Sequence, residues 1–260
     1  MAEKLTKAER REIAREKARK LREEQERREK RNKLLMIGGV ILLVALVGLA
    51  IVAIFINANR SHLDGVHAPA GADLQGGISV GQDLSAGSET EGAIVVNVYA
   101  DATCVFCAEF EETNGADIEE LLADGVITLK QHPLAILDNS YNGIAANALA
   151  TTAEYAPEHF LALNTVIFEE YRNIMAEYEE TGNYGLPTLS GVEEMALEAG
   201  VPQDVVDRFA EGEFDEWVEA SGRQFYRDGY EGTPVVVVDG ERLGNEWRQP
   251  GALREMITGD

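Results

Sequence analysis

The alternation of apolar and polar positions divides the chain into three regimes. Residues 1–33 are polar all round: Glu16/Lys20, Glu23/Arg27, Glu24/Arg28 and Glu26/Lys30 are acid-then-base pairs four apart. Such pairs favour a solvated helix by a few tenths of a kcal/mol each. Residues 34–56 then run for 23 positions without a charge. At about 1.5 Å per helical residue that run spans a hydrocarbon core of roughly 30 Å, and it is too long for the apolar part of a cleaved signal peptide. A single transmembrane helix is expected there. Beyond it the periods of a folded domain begin, after a stretch rich in Gly, Ala, Ser and Asp (57–76) that reads as a linker in which His62 and His67 are solvated.

From residue 77 the pattern predicts strands and helices in turn. Residues 78–80 suit a short edge strand, 93–99 a buried β-branched strand, 107–122 a helix, and 126–132 a second strand. Residues 139–155 are Ala-rich, with Asn139 or Ser140 as N-cap, and predict a closely packed helix. A further helix is expected over 158–178, where Phe160, Leu161, Leu163, Val166, Ile167 and Phe168 form an apolar face, until 184–187 break it. Ser190 and Glu193 have capping-box spacing and open a helix through Ala199 that Gly200 closes. Helices over 202–210 and 214–227 follow, then an apolar strand over 235–238. Trp217, Phe225 and Tyr226 are expected in the core. The expected segments are a charged tail (1–33), the transmembrane helix (34–56), the linker (57–76), a first α/β part (77–138), a helical insert (139–212) and a second α/β part (213–260).

Charge fixes the orientation of this plan. Residues 1–33 carry 14 Lys/Arg against 8 Asp/Glu, a balance of +6 in a chain of net charge −23, so the remainder carries −29. Excess Lys/Arg before an apolar span, with only Arg60 shortly after it, places the N-terminus in the cytoplasm and the bulk of the chain outside, anchored in a lipid bilayer. The basic run abuts the span and lacks interleaved aromatics, so no nucleic-acid partner is expected. The acidic remainder, with Lys130 as its one lysine, reads first as solvation, or else as steering toward basic clients.

The chemistry lies in the only two cysteines, Cys104 and Cys107, spaced C-x-x-C at the junction of a predicted strand and helix. A zinc site needs four ligands, and neither a second C-x-x-C nor metal-ligand spacing among the four histidines supplies them, so no metal and no other cofactor is expected. A purely structural disulfide across two residues would constrain the unfolded chain very little. A reversible dithiol is the reading that remains. At a helix N-terminus the unpaired amides and the positive end of the dipole stabilise a thiolate, the nucleophilic form. Cys104, nearer the terminus and solvent, is the candidate nucleophile, and Cys107, one turn in, the candidate resolving thiol. Asp101, Glu109, Glu111 and Glu112 nearby are expected to raise the thiol pKa, arguing against an unusually oxidising pair.

A second motif, Thr233 and Pro234 ahead of the strand at 235–238, completes a resemblance. The chain resembles the thioredoxin superfamily, where a C-x-x-C at a helix start faces a cis-proline that opens a later strand. The 127 positions between Cys107 and Pro234 are mostly helical, which resembles the DsbA-like, membrane-anchored bacterial thiol-disulfide oxidoreductases. The resemblance implies an α/β thioredoxin fold with an inserted all-helical domain, preceded here by one transmembrane helix. It also implies a cis Thr233–Pro234 bond, with Thr233 pairing to a client backbone beside Val105 and Phe106. It further implies disulfide formation in cysteine-containing exported proteins and reoxidation by a membrane quinone-linked protein. A disulfide reductase or isomerase, or a non-catalytic thioredoxin-like binding module for exported chains, is the alternative. Where the family often has Pro or His between the cysteines this chain has Val105 and Phe106, and Val98 stands where some members carry a buried acid.

Overall fold

The computed structural model describes residues 7–58 and 60–259, and the chain divides into two compact units between residues 60 and 61. The first unit holds one described helix, α1 (Lys7–Ala58), which runs without a break from the charged residues into the apolar run. Glu16 and Lys20 pair along it at 3.2 Å, and Arg19 and Glu23 at 3.8 Å. Among the described residues it is the one helix long and apolar enough to cross a membrane, and its apolar side chains from Leu34 to Phe55 are exposed. A helix that is apolar on every face needs an apolar surround.

The second unit is a five-stranded mixed sheet with helices against it, in the strand order β1-β3-β2-β4-β5. The strands are β1 (Ile78–Val80), β2 (Ile94–Asp101), β3 (Ile127–Leu134), β4 (Val235–Val238) and β5 (Glu241–Arg242). Helix α2 (Val105–Ala123) joins β2 to β3, which run parallel from Ile94 opposite Ile127 to Asp101 opposite Leu134; every other strand pair is antiparallel. β2 is therefore central, and a strand with partners on both edges carries its C-terminal end, and the chemistry after it, into the middle of the fold. β3 runs two residues beyond the predicted end because β1 covers it only at 129–131, so Pro133 lies where β3 has a partner on one side and costs no ladder bond there.

Between β3 and β4 lie α3 (Ser140–Tyr155), α4 (Phe160–Thr181), α5 (Leu189–Glu198), α6 (Gln203–Val206) and α7 (Asp215–Arg227), and α8 (Ala252–Thr258) ends the chain. This is a thioredoxin-like sheet with a helical insertion. α3 begins at the expected cap, where the Asn139 side chain accepts from the Asn142 amide at 3.0 Å. α4 ends at Gly182 in the left-handed conformation (φ 75°), which glycine adopts without steric cost. The Ala-rich face of α3 is buried from Ala145 to Ala153, and Phe160, Leu163, Ile167 and Phe168 of α4 lie in the same core. Each large apolar side chain so buried contributes about 1.5–3 kcal/mol.

Three expectations are corrected. The stretch read as a linker to residue 76 is packed from Ser61 onward: Leu63 is 3% exposed, the His62 amide donates to Gln224 Oε1 at 2.9 Å, and Ala72 bridges to Ile78. Two of its glycines mark close approach rather than freedom, since a Cβ at Gly71 would meet the Gly87 backbone and one at Gly76 the Ser221 side chain. The helix predicted from a Ser190–Glu193 capping box instead starts at Leu189 behind Thr188, with no side-chain cap; the backbone bond from Val192 N–H to Thr188 O at 3.1 Å closes its first turn. Trp217 and Phe225 are fully buried, but Tyr226 is 53% exposed, because it follows Phe225 onto the outer face of α7.

Candidate active site

The site is assembled at the C-terminal end of β2. Cys104 is the N-cap of α2, still in extended conformation (φ −94°, ψ 115°), and its amide donates to Asp101 O at 3.0 Å. The Cys107 and Ala108 amides donate to Cys104 O at 3.0 and 3.1 Å, which puts Cys107 one turn into the helix. From the other side comes the loop ahead of β4, where the Thr233–Pro234 bond is cis and Thr233 O accepts from Cys104 Sγ at 3.3 Å. Residues 129 positions apart thus meet at one sulfur. Both cysteines are thiols in this structure.

The two sulfurs sit in different environments. Cys107 is 1% exposed and Cys104 8%, so the outer cysteine is itself largely covered; Val105 and Phe106, at 48% and 50%, are the exposed residues of the motif. The Cys107 thiol hydrogen-bonded to the Cys104 sulfur, helped by the Thr233 side chain and by the Cys107 and Phe106 amides, outweighs burial and lowers the Cys104 pKa to about 6. Burial pushes the Cys107 thiol well above its usual range, and the neighbouring Cys104 sulfur adds to this. One sulfur is therefore mostly thiolate at neutral pH while the other holds its proton.

The upward push expected from the nearby acids does not prevail: the hydrogen bonds to the Cys104 sulfur carry its pKa down, and each acid is turned toward partners of its own. Asp101 accepts hydrogen bonds from Thr103, Ile136, Leu137 and Asn142. Glu111 accepts from Thr165 Oγ1 at 2.8 Å, Glu112 pairs with Arg172 at 2.5 Å, and Glu109 lies 3.6 Å from Arg248. Burial raises the Glu111 pKa, against the hydrogen bond from Thr165.

The structure brings Cys104, Cys107 and Thr233 together, with Pro234 partly exposed beside Thr233 and the Val105 and Phe106 side chains on the open side. Two residues were not singled out from sequence. Arg248, from the turn before α8, lays its guanidinium 4.5 Å from the Phe106 ring centroid, a cation–π geometry that joins the motif to the far C-terminal segment. From sequence Asp101 shows only as a charge; the D-x-x-C spacing just after a strand is the signal for something more. Among the described residues, no group of His, Cys, Asp and Glu is arranged to hold a metal ion.

A thiol pair of unequal acidity at a helix start, facing a cis-proline loop on such a sheet, defines the class: this is an oxidoreductase of the DsbA-like thiol-disulfide type. The chain belongs to the thioredoxin family, since the family model described as Thioredoxin matches residues 80–258. A second model, described as an inhibitor of host cell division protein domain, matches residues 7–67, less than half of the chain. No curated protein matches. Among solved structures, the MdbA thiol-disulfide oxidoreductase of Actinomyces oris is similar with a TM-score of 0.64 and 26% identity, over 78% of this chain and 98% of that one. The reduced disulfide bond oxidoreductase DsbG of Mycobacterium tuberculosis follows with a TM-score of 0.56 and 25% identity, over 77% and 93%. DsbA of Mycobacterium tuberculosis shares the fold, with a TM-score of 0.56 and 24% identity over 70% and 91%.

Proposed function

We propose that this chain is a membrane-anchored thiol-disulfide oxidoreductase that forms disulfides in cysteine-containing exported proteins through Cys104 and Cys107. The observation that carries the reading is the asymmetry of the pair: a less buried sulfur stabilised as thiolate beside a deeply buried one that keeps its proton. In the oxidised enzyme a client thiolate attacks Cys104 Sγ. The Cys104–Cys107 bond breaks, its electron pair leaves on Cys107, and Cys107 takes up a proton. A second client thiolate then attacks the client sulfur of the mixed disulfide and Cys104 departs as a thiolate. The client has lost two electrons and the pair has gained them. A stabilised thiolate is a good leaving group, so the low Cys104 pKa favours this direction. Reoxidation by a membrane quinone-linked protein returns the pair to its starting state.

The placement of Thr233 and Pro234 beside Cys104 supports a client backbone running along that loop, over Val105 and Phe106. α1, apolar from residue 34 and basic before it, supports a single span in a lipid bilayer with the N-terminus cytoplasmic and the redox unit outside. That compartment permits disulfides to persist.

The test uses the oxidised full chain in detergent with a synthetic peptide dithiol. The expected result is stoichiometric peptide disulfide formation that Cys104→Ser abolishes, and that Cys107→Ala, which cannot form the Cys104–Cys107 disulfide, abolishes too. Full peptide oxidation by Cys104→Ser defeats the scheme. A pair that stays oxidised in glutathione buffers as reducing as the cytosol identifies a reductase instead, and a pair that never exchanges identifies a binding module.

A further inference from the structure

Asp101 closes β2 three residues before Cys104, and its side chain is fully buried. Oδ1 accepts from the Thr103 amide at 2.9 Å and the Thr103 hydroxyl at 2.8 Å. Oδ2 accepts from the Ile136 amide at 2.9 Å, the Leu137 amide at 3.1 Å and Asn142 Nδ2 at 3.1 Å. A buried carboxylate costs several kcal/mol unless donors replace its water, and none of these donors is a cation. So complete a set of five is a built feature. Its partners lie on both sides of a seam: Thr103 belongs to the turn that carries Cys104, whereas Ile136, Leu137 and Asn142 belong to the loop and helix after β3. Asn139 closes the ring, donating from Nδ2 to Thr103 Oγ1 at 2.9 Å while its own Oδ1 caps Asn142. The backbone oxygen of Asp101 also accepts from the Cys104 amide, at 3.0 Å.

We infer that Asp101 is a positioning residue for the redox pair: its carboxylate locks the turn 101–104 to the start of the helical insertion and so fixes Cys104 Sγ against Cys107 and Thr233. The chemistry requires a carboxylate there, because five donors converge on two oxygens. Asparagine has one oxygen, so its Nδ2 would face either two or three donors. The inference rests on Cys104 being the attacking sulfur, and it adds a cause for where that sulfur sits. A positioning role and a plain charge effect have opposite signs. Removing a nearby negative charge by itself favours the Cys104 thiolate, whereas releasing the turn withdraws the hydrogen bonds that stabilise it.

The experiment is the thiolate absorbance of the reduced full chain in detergent, titrated from pH 4 to 9, with Cys104→Ser as the blank. Besides Asp101 on β2, the titratable groups facing Cys104 are Cys107 on α2 and Tyr171 on α4, and burial raises both of their pKa values, so they stay silent below pH 8. Asp101→Asn is expected to move the midpoint from about 6 toward the ordinary value of about 8.5, by about one pH unit or more. Thr103→Val, which removes one bond to Asp101 and the one from Asn139, is expected to move it the same way by less. A midpoint that stays put or falls in Asp101→Asn overturns the inference, and where that variant does not fold, an unmoved midpoint in Thr103→Val overturns it. No client is present in this titration. Failure of the catalytic scheme, read by peptide oxidation in Cys104→Ser, is therefore a separate result.

Discussion

Lowering the pH is the perturbation that reads the site most directly, because the two redox states differ by one titrating sulfur. In the reduced protein the Cys104 pKa is about 6, below the roughly 8.5 of an unstructured cysteine. A folded pKa depressed in this way stabilises the fold fully above about pH 8.5, and the contribution is lost as pH falls through about 6. The disulfide form has no such group, so the linkage also separates the two redox states. At pH 7 it favours the reduced form by about 1.4 kcal/mol relative to an ordinary thiol, and at pH 5 by nearly nothing. For a two-electron couple about 1.4 kcal/mol is roughly 30 mV, so the pair is more oxidising than its acidic surroundings suggested. Two protons accompany the two electrons below the Cys104 pKa, and one above it, since Cys107 stays protonated. The potential should therefore fall by ~59 mV per pH unit below about pH 6 and by ~30 mV per unit above it. Cys107, raised by burial, begins to oppose the reduced fold once an unfolded cysteine would ionise, which confines the clean window to about pH 5–8. The assay is equilibration with glutathione buffers at each pH, quantified by alkylation. A straight line of the steeper slope from pH 5 to 8, with no break near 6, refutes the reasoning.

Three other outcomes follow from the packing of single side chains. Phe106→Ala removes a half-exposed ring under the Arg248 guanidinium, so the melting temperature should hardly change while KM for a peptide dithiol rises several-fold; an unchanged KM removes Phe106 from the client surface. Phe110→Ala, by contrast, empties a position 2% exposed and packed edge-on against Trp247 at 5.3 Å, and should cost about 3–5 kcal/mol in a denaturant titration. His132, stacked on Tyr99 and with Nδ1 3.2 Å from Gln75 O, has its pKa lowered by burial to about 4. Stability of the oxidised protein should thus fall by up to about 3 kcal/mol between roughly pH 6.5 and 4, a slope that His132→Asn flattens.

What the sequence made legible was whatever a local period or a rare residue carries. The apolar run from 34, the Val-rich strands, the Ala-rich face of α3 and the lone cysteine pair each state their role within a few residues, so the elements and the motif were readable in order. Tertiary closure has no such signature. The composition of 61–76 is that of a linker, yet the same Gly, Asp and Ser residues make its turns: Asp73 Oδ1 accepts from the Gln75 and Gly77 amides at 2.9 Å each, and its other oxygen meets Lys130 at 3.1 Å. Only packing decides between the two readings: Leu63 is buried and Val66 packs against the same core, while Leu74, just as apolar, stays exposed. The acids near Cys104 were misjudged for a related reason. A sequence counts charges but does not show where their lone pairs are spent, and Asp101, Glu109, Glu111 and Glu112 are each committed to a partner from another element. The sulfur then responds to what points at it, which is the Cys107 thiol, Thr233 and two helix amides. Its acidity is consequently a property of the junction between β2, α2 and the loop before β4, and any substitution that loosens that junction should raise the Cys104 pKa whatever charge it adds or removes.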